Sequence, residues 1–211
     1  MLGRLRRRPV LAEIPAPRGS SYRPGALDRA RLEAFSSLAA ALSGSRAVLA
    51  TGGAKSDVAL GLATVATAEG ARVALLEADL AAPELADALG LSRSPGLHEF
   101  LLGEAEPPQI LQALVLAGPA SAPAVEPLAC IVAGEPGSAS VPLLASERCR
   151  HAIERLRTAY DLLVIEGPGL DRGPDGVREL AGLADTTIVC GGRREIPRRL
   201  PVPVAGLVIS D

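Results

Sequence analysis

Six short, nearly all-apolar runs set the frame for this chain: Ala47–Ala50, Arg72–Leu76, Leu128–Val132, Leu162–Ile165, Thr186–Val189 and Val204–Ile209. Stretches long enough for a helix lie between most of them. A strand that is apolar along its whole length, rather than at alternate positions, is buried on both faces. Such strands occur where helices cover both sides of a parallel sheet. The pattern predicts an α/β fold: a mostly parallel sheet with helices on both faces.

The intervening segments support this reading. Lys55–Glu69 is rich in Ala and Leu and stops at Gly70. Ala145–Ala159 is amphipathic, with charges at Glu147, Arg148, Arg150, Glu154 and Arg157. Ala26–Leu42 has helical spacing, with Leu27, Leu32, Phe35 and Leu38 directed to a core. Shorter helices are expected at Pro83–Leu89, Gly96–Leu102, Pro108–Val115 and Val177–Leu183. Residues 117–127 read as a loop. Residues 1–26 read as an irregular leader with a short extended piece at Pro9–Pro15, and 27–211 as the folded domain.

Composition narrows the function classes. Hydrophobic residues make up 48% of 211, enough for a packed interior. Aromatics are 2%, so the core is aliphatic and platforms for base stacking are scarce. The net charge of −2 provides no field for nucleic acid. The basic cluster Arg4, Arg6, Arg7 and Arg8 reads as a solvated tail. No apolar run approaches the ~20 residues of a membrane span. The apolar piece after the basic start is too short for a signal-peptide core. The expected location is the cytoplasm, with recruitment to the inner membrane face left to a partner. Cys130, Cys149 and Cys190 are far apart in sequence and read as plain thiols.

The chemistry concentrates at Thr51-Gly52-Gly53-Ala54-Lys55-Ser56-Asp57, between a buried strand and a helix. A strand, a Gly-rich loop, Lys-Ser and a helix form a P-loop context: backbone N–H groups hold phosphate, Lys reaches the outer phosphates and the hydroxyl takes Mg²⁺. Gly52, Gly53, Ala54, Lys55, Ser56 and Asp57 are therefore the candidate nucleotide-binding residues. Two strands end in acids, at Glu77-Ala78-Asp79 and at Glu166. Carboxylates at strand ends beside such a loop are where Mg²⁺ would sit. Ser56, Glu77 and Glu166 are the metal candidates, and Lys55, Asp79 and Glu166 the catalytic ones. Lys55 is also the only lysine; every other basic residue of the 22, His aside, is arginine.

These segments resemble the kinase domain of bacterial tyrosine kinases that partner polysaccharide co-polymerases, within the P-loop group of the MinD and ParA ATPases. The resemblance rests on Glu33-Ala34-Phe35, RVALLEADLAAPELADALGL at 72–91, Pro95–Gly103, and LLASERCRHAIERLRTAYDLLVIEGP at 143–168. It implies ATP and Mg²⁺ as cofactors and a membrane-associated polysaccharide co-polymerase as partner.

The chain also departs from that family. Ala54 replaces Gly before the Lys, the loop is shorter, and Asp57 replaces Thr. Glu77 and Glu166 each stand where the family has Asp. Ala81 replaces an Arg. Ser36 and Ala39 replace the arginines that assemble the kinase ring, so no ring is expected. No tyrosine-rich tail follows; Tyr22 and Tyr160 are the only tyrosines. Two classes of function remain. One is an ATP-dependent kinase or ATPase that tolerates the changes. The other is a weak or non-catalytic docking module of polysaccharide chain-length control or export, which the joint departures favour. For Lys55 two tasks are open: holding an anion, or pairing with Asp57, Glu77 and Glu166 so that a carboxylate stands where the outer phosphate would.

Overall fold

The computed structural model describes residues 8–16, 27–116, 127–137, 140–171, 173–197 and 199–210. Residues 117–126 of the expected loop and most of the expected leader, Arg4, Arg6, Arg7 and Tyr22 included, lie outside the described residues.

The elements run β1 (Val10–Ile14), α1 (Arg29–Ala41), β2 (Ala47–Gly52), α2 (Lys55–Ala68), β3 (Val73–Glu77), α3 (Leu85–Leu89), α4 (Leu97–Leu102), α5 (Pro107–Ile110), β4 (Gln112–Leu114), β5 (Leu128–Ile131), α6 (Ser140–Leu144), α7 (Glu147–Ala159), β6 (Leu162–Glu166), α8 (Pro174–Ala181), β7 (Thr186–Gly191) and β8 (Gly206–Ser210). They form one eight-stranded sheet in the order β1-β8-β7-β2-β6-β3-β5-β4. All neighbours are parallel except β4, which runs antiparallel to β5 at one edge. The expected fold class stands: a mostly parallel sheet covered on both faces.

The apolar strands explain the layering. Side chains alternate across a strand, so Val48 and Ala50 of β2 face one layer while Ala47 and Leu49 face the other. The first layer holds α1 and α2. Phe35 lies against α2 where Gly61 leaves room; a Cβ on Gly61 would come within 2.1 Å of the ring. The second layer holds α4 to α8, with Phe100, Ile110, Ile153 and Leu180 packed on Leu76, Ile131 and Ile165. Helix starts follow ordinary capping: the Asp28 carboxylate accepts from Arg31 N–H at 2.9 Å, and the Ser146 hydroxyl from Cys149 N–H at 3.2 Å.

Several sequence expectations give way to tertiary structure. Pro108–Val115, expected as one helix, divides into the single turn α5 and the strand β4. Leu111 is already extended, and pairing with β5 takes up backbone groups that one more helical turn would have satisfied locally. Val10–Ile14 is extended, as expected within Pro9–Pro15, and in addition forms an edge strand of the sheet, paired with β8. The short helix α6 was not foreseen. In α1 the expected core position Leu32 is 44% exposed, whereas Arg31 is buried. Among the described residues no helix is long and apolar enough to cross a membrane.

Candidate functional site

β2, β3 and β6 lie near the middle of the sheet, with β6 between the other two. The chain leaves β2 toward β3 and leaves β6 the opposite way toward β7, so their carboxyl ends border the crevice where open α/β sheets bind ligands. α2 starts at that corner and brings Lys55 and Ser56 to the end of β6. Glu166 ends β6 directly beside Glu77, its register partner at the end of β3.

One oxygen organises the corner. Glu166 Oε1 accepts from Lys55 Nζ at 2.6 Å and from Ser56 Oγ at 2.7 Å. Asp79 Oδ2 lies 3.4 Å from the same ammonium. The Asp79 carboxylate also accepts from Ala82 N–H at 3.2 Å. Glu166 is fully buried, and Lys55 and Asp79 nearly so. Burial works against the Lys55 ammonium, but Glu166 and then Asp79 outweigh it, and Lys55 is held above the ordinary lysine value. Burial is also the largest influence on Glu166. With Glu77 alongside, it keeps the Glu166 carboxyl above its usual range in spite of Lys55 and Ser56. Glu166 Oε2 is buried and has no hydrogen-bond partner.

The remaining candidates sit differently. Glu77, expected as a metal ligand, uses both oxygens on backbone N–H groups: Oε1 accepts from Glu84 at 2.5 Å and Leu85 at 2.8 Å, Oε2 from Ala133 at 2.8 Å. It fastens the start of α3 and the exit of β5 to the sheet. Asp57 does not surround Lys55. It forms a salt bridge with Arg31, which also donates to the Pro15 carbonyl at 2.8 Å and lies over the Phe35 ring. Of the three acids expected around Lys55, only Glu166 bonds to it, and Asp79 takes the place of Asp57. Sequence reasoning missed Arg31, Glu84 and Glu195. Glu84 comes within 3.4 Å of Ser56 Oγ. Glu195 accepts from Gly192 N–H at 3.1 Å and borders Gly53. No local pattern marks these residues, because each approaches from a separate element.

The loop itself is tight. Only Gly53 and Ala54 separate β2 from α2. Gly52 has φ +105 and abuts β7 so closely that a Cβ would lie 2.2 Å from the Cys190 carbonyl oxygen. The Ala54 N–H donates to that carbonyl at 3.3 Å. A triphosphate needs free loop amides, a free ammonium and a hydroxyl open to Mg²⁺. Here the Ala54 amide faces β7, and Lys55 and Ser56 are both bonded to Glu166. In this arrangement the Ala54 amide, the Lys55 ammonium and the Ser56 hydroxyl are all engaged within the fold.

No protein-family model matches the sequence, and no curated protein is significantly similar to it. Solved structures are similar in fold. Sheet order and corner define the class, the P-loop NTPase fold. MinD from Pyrococcus horikoshii, solved with Mg-ADP, covers 71% of this chain and 59% of its own at a TM-score of 0.55 and 17% identity. Within that class the chain has the fold of bacterial tyrosine kinase domains. The kinase domain of Escherichia coli tyrosine kinase ETK aligns over 96% of this chain and 89% of its own, with a TM-score of 0.78 and 18% identity. The BceF tyrosine kinase domain aligns over 96% and 93%, at 0.75 and 19%.

Proposed function

We propose that this protein is a tyrosine-kinase-fold module that docks on a membrane-associated polysaccharide co-polymerase and does not turn nucleotide over. One observation carries the reading: a single oxygen of Glu166 accepts from both Lys55 and Ser56, the two side chains a P-loop offers to phosphate and Mg²⁺. An internal carboxylate thereby takes the place of the outer phosphate. The link to polysaccharide chain-length control or export rests on the resemblance of the four ordered segments. Docking occurs without ring assembly, since Ser36 and Ala39 turn toward α2 and the neighbouring core. Light scattering should show a monomer or small dimer, and a closed ring of many protomers would count against this part.

Calorimetry with ATP and Mg²⁺ tests the proposal. No saturable heat is expected up to ~1 mM nucleotide, whereas micromolar binding with Mg²⁺ overturns it. A second reading, an active ATP-dependent kinase or ATPase, is favoured by the buried, unbonded Glu166 Oε2. That atom offers an acceptor to a Mg²⁺-bound water once Lys55 turns to phosphate. Micromolar binding together with phosphotyrosine on a partner would support it.

A further inference from the structure

We infer that the second layer of the fold holds a binding site for a small anionic amphiphile, an apolar chain with one negatively charged head. On the face of the sheet opposite α2, a cavity of about 670 Å³ opens between α4–α5 and α7. Its floor is Leu76 of β3 and Ile131 of β5. Its walls include Phe100 and Ile110 on one side and Ile153 and Leu156 on the other. The volume and apolar lining are those of small-molecule sites, in which a few polar groups at the mouth fix orientation.

The polar groups here are mainly cationic. Arg148 and Arg155 are seven residues apart on α7, two turns along one face, and both are exposed at the rim. The Arg148 guanidinium stands 4.5 Å from the centre of the Phe100 ring, which holds it at the mouth. His151 lies between the two arginines, and Glu106 stands across the opening. Cys149 adds no charge, because burial pushes its thiol up to about 12. An apolar interior beneath two guanidinium groups and one carboxylate selects a hydrocarbon body with an anionic head. A carboxylate and a phosphate head meet the same two arginines.

The test is calorimetry on the full chain with decanoate, decyl phosphate and decyltrimethylammonium, each below its micellar concentration. Both anions should bind and the cation should bind at least about tenfold more weakly. The tighter of the two anions identifies the head group. Arg155→Glu lies on the exposed face and leaves the packing intact. It should weaken the anions up to about tenfold and narrow the gap to the cation. Ala152→Trp, which fills the cavity from α7, should abolish binding of all three. Equal affinity for anion and cation overturns the proposal, as does unchanged binding in Ala152→Trp. A concentration-dependent dimer that Ala152→Trp disrupts also overturns it, because the cavity would then be an interface between two copies.

Discussion

Lys55 and Glu166 carry opposite charges in a corner nearly closed to water, with side-chain exposures of 9% and 0%. Desolvating both is costly and is offset only while the partners stay together. Removing one leaves the other buried and uncompensated. Lys55→Met should therefore lose about 3–5 kcal/mol of stability in urea unfolding. Adding Glu166→Leu should restore part of that loss, which a double-mutant cycle would register as coupling. The pH dependence has a definite sign. A carboxyl whose folded value is raised contributes stability below the ordinary glutamate range and loses it as pH climbs through the folded value. Without the Lys55 cation, Glu166 loses the influence that lowers it. Stability of Lys55→Met should thus fall more steeply than wild type between acid and neutral pH, read from urea midpoints. A flat profile would show that Glu166 does not depend on Lys55.

At the scale of elements, helix starts and strand ends are joined by single carboxylates. Glu99 of α4 accepts from Gly96 N–H at 2.7 Å and from Glu135 N–H at 3.0 Å, so it both caps its own helix and binds the loop after β5. Partial burial raises its carboxyl, but these backbone donors outweigh burial and hold it below the ordinary glutamate value. That contribution is present above the ordinary value and is lost as pH falls through the lowered folded one. Glu99→Ala should cost about 1–2 kcal/mol, the usual range for a lost cap. Glu99→Gln should remove the acid-dependent part, seen as a smaller difference between urea midpoints at low and neutral pH. Arg31 plays the corresponding part between β1, α1 and α2. Arg31→Met should speed hydrogen exchange in Val10–Ile14 far more than in β2, because it breaks the bond to Pro15 and the salt bridge to Asp57 together. Equal protection of Val10–Ile14 in wild type and Arg31→Met would place the anchor of β1 wholly in its pairing with β8.

At the scale of the whole molecule, the aliphatic core shuts the cysteines away from solvent. Cys130, Cys149 and Cys190 are free and buried, on β5, α7 and β7. Burial pushes the first two up to about 12 and raises Cys190 as well. A protonated, inaccessible thiol is a poor nucleophile. A thiol reagent at mildly alkaline pH should label none of the three in the native protein and all three in denaturant. Rapid labelling of Cys149 alone would mean that the α7 layer opens readily, since that residue is buried in the closed fold.

Fold class was legible in the chain because its information is local. A run such as Leu162–Ile165 is apolar at every position, and that alone requires cover on both faces. That Lys55 meets Glu166 was legible too, because one starts a helix and the other ends a strand; that Asp79 and not Asp57 joins them was not. Other features depend on neighbours distant in sequence. Gln112–Leu114 is a strand because β5 lies beside it. Arg31 is buried, against its residue type, because Asp57 and the Pro15 carbonyl meet it inside the fold. The loop amide of Ala54 faces the Cys190 carbonyl only because β7 packs beside β2. Glu166 Oε1 bonds to Lys55 and Ser56 because β6 ends at the start of α2. Local patterning determined the central strands and the longer helices, and that Lys55 and Glu166 would share an edge. The tertiary structure alone decided how their charges pair, since a bond such as the 2.6 Å contact of Lys55 with Glu166 depends on how elements more than a hundred residues apart are placed against each other.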